Sequence, residues 1–285
     1  MNVIRAEVMG MCFGVRDALK VIGSVATPAE VTIHGELVHN EEVQSGLAAV
    51  GFALAGESDR TALPATPAVL ITAHGVSDRE RSRLAAAGKR LIDTTCPLVT
   101  RAHQAAQRLQ ADGFFVLVIG RRGHVEVRGI VEDLHDHEVV ESVAEVATYP
   151  APRIGIVCQT TAPSHLVNRV REAVVARNPG SEVRFVDTVC LPTKDHQRSL
   201  ERLIDRVEAV VVVGGRNSNN TKELVALCGR RGKPAVHVQS AGDLDPSWFR
   251  GRETVGLTAG TSTPDSTIDE VHQALLQLPC AAVAL

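Results

Sequence analysis

Short apolar runs rich in Val, Ile and Leu alternate along this chain with longer segments whose apolar residues recur every three or four positions. The runs at 31–33, 69–72, 91–93, 114–119, 154–158, 183–186, 210–213, 235–238 and 254–257 predict buried strands. The segments at 14–26, 39–49, 78–87, 97–111, 163–177, 194–207, 219–230 and 265–277 predict helices. Alternation of this kind builds βαβ units, so the expected class is α/β, with mainly parallel sheets covered by helices. A weak threefold rhythm overlies it. A cysteine stands just past a strand and at the head of a helix in Met11-Cys12-Phe13-Gly14, Thr95-Cys96-Pro97 and Val189-Cys190-Leu191-Pro192, at intervals of 84 and 94 residues. The simplest matching organisation is three pseudo-symmetric α/β domains, 1–96, 97–189 and 190–285, with Cys96 and Cys190 at the boundaries.

Open parallel sheets bind ligands beyond the carboxyl ends of their strands, where loops enter helix N-termini. Those loops are polar here: Gly35-Glu36-Leu37-Val38-His39-Asn40, Ala73-His74-Gly75-Val76-Ser77, Gly123-His124-Val125-Glu126-Val127-Arg128-Gly129, Gln159-Thr160-Thr161, Gly214-Gly215-Arg216-Asn217-Ser218-Asn219-Asn220 and Thr258-Ala259-Gly260-Thr261-Ser262. Any one of them reads as helix capping, since Ser218, Asn219, Thr221, Ser262 and Thr263 are of types preferred at helix starts. Together, with three histidines and the carboxyl of Glu126, they suit an anion held by backbone N–H groups and neutral donors. This points to a phosphate-bearing substrate.

Composition narrows the class. Of the 285 residues 44% are apolar and 22% charged, an ordinary balance for a globular chain that buries a core. A net charge of −3 and 3% aromatic residues give nucleic acid or an anionic membrane no footing as partners. The N-terminus, MNVIRAEVMGMCFGV, is too interrupted by charge for a signal peptide. No apolar run approaches the roughly 20 residues of a membrane helix, so the expected location is cytoplasmic. There is no Walker loop, no G-x-G-x-x-G and no C-x-x-C, which argues against a P-loop NTPase, a dinucleotide enzyme and a structural zinc site.

Six cysteines at no disulfide-framework spacing fit a reducing compartment. Cys158 ends an apolar run and Cys228 lies on the apolar face of a helix, so both read as core. Cys280, near the end of the chain, carries no signal. Cys12, Cys96 and Cys190 stand at strand–helix junctions beside Gly or Pro. Three thiolates suit an iron–sulfur cluster with one iron left open, or a zinc with a water position. Soft donors with no histidine at ligand spacing favour iron–sulfur. Catalytic and buried cysteines also occur at helix starts.

The ordered blocks Gly10-Met11-Cys12-Phe13-Gly14-Val15, Leu37-Val38-His39-Asn40, Ala73-His74-Gly75-Val76-Ser77, Asp93-Thr94-Thr95-Cys96-Pro97-Leu98-Val99-Thr100, the 123–129 loop, Gln159-Thr160-Thr161, the Cys190 segment, Asn217-Ser218-Asn219-Asn220 and Thr258-Ala259-Gly260-Thr261-Ser262 span nearly the whole chain. In them the sequence resembles the 4-hydroxy-3-methylbut-2-enyl diphosphate reductase family. The resemblance implies a trefoil of three α/β domains around one [4Fe–4S] cluster per chain, held by Cys12, Cys96 and Cys190 with one iron open. It implies a diphosphate site at His39, His74, His124, Ser218, Asn220 and Ser262, with Asn219 beside them, Thr160 near the substrate hydroxyl and Glu126 as proton donor. The implied reaction is reductive dehydroxylation of (E)-4-hydroxy-3-methylbut-2-enyl diphosphate to isopentenyl and dimethylallyl diphosphate, the terminal step of the non-mevalonate pathway. Ferredoxin or flavodoxin is the implied electron donor.

The chain departs from that pattern in places. Pro192-Thr193-Lys194-Asp195-His196-Gln197 stands where the family usually reads Ala-Thr-x-x-Arg-Gln, so His196 replaces an arginine. Phe13 replaces a small residue beside the first cysteine, Val125 a common proline, Asn219 a serine, and Ala162-Pro163 the frequent Leu-Ser. The sequence ends soon after Leu278, short of the extension many members carry. Two other readings are a divergent paralogue reducing another allylic diphosphate and a non-catalytic iron–sulfur redox sensor. Retention of Glu126 and Thr160 speaks against the sensor, which has no use for a proton donor.

Overall fold

A computed structural model describes residues 1–57 and 60–278. Cys280 lies outside the described residues. Among these residues are three four-stranded sheets, all parallel, with spatial orders β1-β12-β10-β11, β3-β2-β4-β5 and β7-β6-β8-β9. In chain order the elements are β1 (Asn2–Arg5), α1 (Phe13–Gly23), β2 (Val31–His34), α2 (Glu41–Val50), β3 (Ala53–Ala55), β4 (Ala68–Ile71), α3 (Asp78–Ala86) and β5 (Arg90–Asp93). Then come α4 (Pro97–Ala111), β6 (Phe115–Ile119), α5 (Val125–Val131), β7 (His137–Val140), β8 (Arg153–Cys158), α6 (Ser164–Arg177) and β9 (Glu182–Phe185). The last are α7 (Leu191–Ile204), β10 (Ala209–Val213), α8 (Asn219–Arg230), β11 (Ala235–Val238), β12 (Thr254–Ala259) and α9 (Asp265–Gln277).

Strands inside a sheet covered on both faces are apolar at every position. β2, β4 and β10 are buried throughout, and β6, β8 and β12 at every residue but the first. These are the runs that hydrophobicity marks. β1, β3 and β7, all at sheet edges, carry no such run: NVIR, ALA and HEVV keep exposed or half-buried positions. α5 also lacks a helical period in sequence. Its residues Val125, Glu126, Val127, Gly129 and Ile130 are all buried, so no polar face alternates with an apolar one.

The chain divides into two compact units, 1–15 with 39–42 and 191–285, and 16–38 with 43–190. This differs from the expected domains 1–96, 97–189 and 190–285 in two respects. β1 pairs with β12, Asn2 opposite Thr254 through Arg5 opposite Leu257, which carries the N-terminus into the unit of residues 191–285. The sheets on either side of Cys96 share the other unit, and contacts cross between them: Ser77 Oγ donates to Glu132 Oε2 at 2.8 Å, the Asp78 N–H to Asp133 Oδ2 at 2.7 Å and Gln107 Nε2 to Asp78 Oδ2 at 2.9 Å. The smaller unit has a core on each face of its sheet, one with Leu200, Leu203 and Leu224, the other with Val255, Ile268 and Val271. No helix among the described residues is long and apolar enough to cross a membrane.

At the end of β2, His34 is wholly buried with Nε2 2.9 Å from Glu80 Oε1. Burial, then the Arg60 charge, hold its pKa below the ordinary histidine value. The unfolded chain then takes up a proton near pH ~6.5 that the folded one refuses, so stability falls as pH drops through that value. His103 and His196 act in the same direction. The urea midpoint is expected to decrease from pH 7.5 to pH 5.5, and to decrease less in His34→Gln.

Candidate active site

The polar loops leave the sheets in register with one another. His39, His124 and Ser218 each lie five residues beyond the end of a strand, after His34, Ile119 and Val213. His74 and Ser262 each lie three beyond theirs, after Ile71 and Ala259. Each of these strands occupies a central place in its sheet. The three cysteines come after edge strands, β5, β9 and β1, and immediately precede α4, α7 and α1.

In the unit of 16–38 and 43–190, the residues form one continuous line. The Cys96 N–H donates to Ala73 O at 3.1 Å, beside His74. The His74 ring meets the His124 ring edge to face, centroids 5.7 Å apart. His124 caps α5 by accepting the Glu126 N–H at Nδ1, 3.2 Å. That acceptor role leaves the proton of a neutral ring on Nε2, which becomes the donor of His124. Glu126 is 1% exposed, and Thr160 holds both its oxygens: the N–H donates to Oε1 at 2.6 Å and the hydroxyl to Oε2 at 2.9 Å. Thr160 O in turn accepts the Cys190 N–H at 2.9 Å. Two thiol-bearing residues, two imidazoles, a hydroxyl and a buried carboxyl thus share one connected backbone.

The unit of 1–15, 39–42 and 191–285 repeats the device with different chemistry. The Cys12 N–H donates to Thr261 O at 3.0 Å, and the Thr261 N–H donates to Asn220 Oδ1 at 3.0 Å. Asn220 here stands to Thr261 as Glu126 stands to Thr160. Each is the second residue of its helix and accepts the N–H two residues beyond a central strand. The Asn220 Nδ2 is buried and has no hydrogen-bond partner among the described residues, so it is an available donor. Ser218 caps α8 by accepting the Thr221 N–H, and Ser262 Oγ donates to His39 O at 3.3 Å. A Cβ at Gly215 would fall 2.4 Å from His39 O, so only glycine lets the His39 segment approach this closely. Asn219, the first residue of α8, is half-buried between the Ser218 cap and Asn220.

Thiolates are soft donors of the kind that iron–sulfur clusters use. Cys12, Cys96 and Cys190 are half-buried, and helix N-termini favour negative charge. Cys158 and Cys228 are sealed in cores, and burial pushes the Cys228 thiol up to about 11. No group of three or more His, Cys, Asp or Glu among the described residues is disposed to hold a single metal ion. Sequence reasoning missed the role of the Thr261, Ala73 and Thr160 carbonyls, which anchor the three cysteines. The signal available was their common place, two residues beyond β12, β4 and β8.

The chain is similar to known proteins over nearly its full length. It is 34% identical to a protein of Geobacter sulfurreducens over 95% of each chain, and 34% identical to one of Methylibium petroleiphilum over 99% of this chain and 87% of that one. Both relatives are named 4-hydroxy-3-methylbut-2-enyl diphosphate reductase. A solved structure described as (E)-4-hydroxy-3-methyl-but-2-enyl diphosphate reductase, the terminal enzyme of the non-mevalonate pathway, matches with a TM-score of 0.68 and 30% identity, over 97% of this chain and all of that one. The E-1-hydroxy-2-methyl-but-2-enyl-4-diphosphate reductase of Plasmodium falciparum matches with a TM-score of 0.89 and 26% identity, over 98% of this chain and 89% of that one. A profile described as LytB protein matches residues 3–276, and with these likenesses over the same blocks, the chain belongs to the LytB protein family.

Proposed function

We propose that this chain reduces (E)-4-hydroxy-3-methylbut-2-enyl diphosphate to isopentenyl and dimethylallyl diphosphate, the terminal step of the non-mevalonate pathway. The reading places the reaction in the cytoplasm, at one [4Fe–4S] cluster per chain held by Cys12, Cys96 and Cys190. The observation that carries it is the line of contacts from Cys96 through His74, His124, Glu126 and Thr160 to Cys190. When bound, the cluster supplies electrons one at a time and a Lewis-acidic iron left open by the protein. Ferredoxin or flavodoxin delivers those electrons.

The overall change breaks the allylic C–O bond, takes up two electrons and two protons, and releases water. One proton goes to the departing oxygen and one to carbon. Glu126 is the source of the first. Because the Thr160 hydroxyl touches Glu126 Oε2, that hydroxyl can accept a proton from the carboxyl while passing its own to the substrate oxygen. Fixing both carboxyl oxygens on one residue keeps this path in a single geometry.

His39, His74, His124, Ser218, Asn219, Asn220 and Ser262 hold the diphosphate. None of them is Arg or Lys, so the anion is met by neutral donors such as the Asn220 Nδ2 and the His124 Nε2–H. Hydrogen bonds of this type strengthen as water is excluded, which suits a site among buried loops. A redox sensor would have no use for the buried Glu126–Thr160 pair, so the reductase is the better reading.

Anaerobic assay with reduced donor and the hydroxylated diphosphate tests the reading, and absence of both products would overturn it. Alanine at Cys12, Cys96 or Cys190 is expected to abolish the visible cluster absorbance and most bound iron. Cys158→Ala and Cys228→Ala should keep iron, at a packing cost of about 1–2 kcal/mol measured by denaturation. Iron lost from folded Cys158→Ala would refute the ligand assignment. Glu126→Gln keeps the size of the side chain but cannot deliver a proton, so turnover should fall about 10²-fold or more with substrate still bound. Unchanged turnover at saturating substrate would mean that protons reach the oxygen by another route.

A further inference from the structure

The connection from strand to cysteine is longest at Cys12. It lies seven residues past the end of β1, against three for Cys96 past β5 and five for Cys190 past β9. A long connection has more freedom to lose, and this one is tied down by successive side chains on one face of α7. The His196 ring is 3% exposed, with Nε2 3.0 Å from Gly10 O and Nδ1 2.7 Å from Pro192 O. Three residues on, Ser199 Oγ accepts the Val8 N–H at 2.9 Å. Three further, Arg202 Nη2 lies 2.7 Å from Glu7 Oε2. Gly10 is pressed from the opposite side as well: its φ is +79°, and a Cβ there would fall 2.8 Å from Ile268 Cδ1 on α9. Only glycine suits this position, which brings the Gly10 carbonyl within reach of His196.

We propose that His196 is a positioning residue for cluster assembly, strapping the peptide two residues before Cys12 to the first turn of α7, the helix that begins directly after Cys190. The ligand role of these cysteines rests on the function proposed above; the strap does not. A neutral imidazole donates to one carbonyl and turns a lone pair toward the other, whereas a protonated ring donates to both. Burial, the largest influence, holds the His196 pKa below its ordinary value, against the two carbonyls and Asp195, which raise it. The other charged groups on neighbouring elements are Glu7, paired with Arg202, and Asp265 on α9 beside Gly10. An arginine, always charged and with several donors, can serve both carbonyls at any pH. Neutral or charged, the ring gives at least one of the two oxygens a donor, which Leu lacks and Arg supplies.

Hydrogen exchange of cluster-free protein reads the strap directly. In His196→Leu, amides of residues 8–12 should exchange about tenfold faster, the scale of one lost hydrogen bond, while those of residues 94–97 are unchanged. His196→Arg should restore protection. After cluster reconstitution, iron loss to a chelator should keep the same order, about tenfold faster in His196→Leu and near the natural rate in His196→Arg. Equal protection of residues 8–12 in the natural chain and a folded His196→Leu overturns the strap. Loss of protection without faster iron loss overturns its role in assembly. If the natural chain takes up no iron, the proposed function fails and the assembly role with it, while exchange still reports on the strap.

Discussion

Each proposed ligand cysteine has its backbone N–H committed to the carbonyl two residues beyond a neighbouring central strand: Cys12 to Thr261, Cys96 to Ala73 and Cys190 to Thr160. A buried peptide N–H must find an acceptor, and in each sheet the acceptor found is a carbonyl just past the ladder. The thiol position is thereby set by a parallel sheet rather than by a loop. The helix after each cysteine depends on the same bond, since it starts at the very next residue in every case. The polar loops leave the same strand ends, so the cysteines and the polar loop residues are both anchored to each sheet.

The three sheets supply one scaffold and fill it with different groups. Glu126 and Asn220 do the same structural job, receiving the N–H of Thr160 and Thr261. The carboxyl has a second oxygen to spend on the Thr160 hydroxyl, and the amide keeps a buried NH₂ without a hydrogen-bond partner among the described residues. Acid and amide thus occupy equivalent places at the head of a helix, each accepting the N–H two residues beyond a central strand.

The central strands and all long helices were legible because burial on both faces leaves uninterrupted Val and Ile runs, as in Val210–Val213 of β10, while covering helices keep a polar face. β1, β3, β7 and α5 were not, for opposite reasons. The strands sit at edges, where exposure permits His137 or Asn2, and the helix is surrounded, so its pattern has no period. The candidate site residues were marked as polar types at strand ends and through likeness to a family. Their partnering was not: nothing in Glu126 or Thr160 alone says that one holds both oxygens of the other. The divided domains escaped for a further reason. A pairing between the first strand and the last leaves no local mark on either.

That pairing has a consequence for how the chain comes into being. Asn2–Arg5 finds its place only beside Thr254–Leu257, and the segment after it is fastened by Thr261 and by α7. During synthesis the two sheets formed by residues 31–93 and 115–185 have all their strands long before this sheet does. Residues 2–5 therefore gain their sheet partner only once residues 254–257 are present, and the segment leading to Cys12 with them. Contacts so distant in sequence form slowly, since the intervening chain must first be closed into a loop. Until residues 254–261 are present, the segment that carries Cys12 lacks the strand and the carbonyl that hold it.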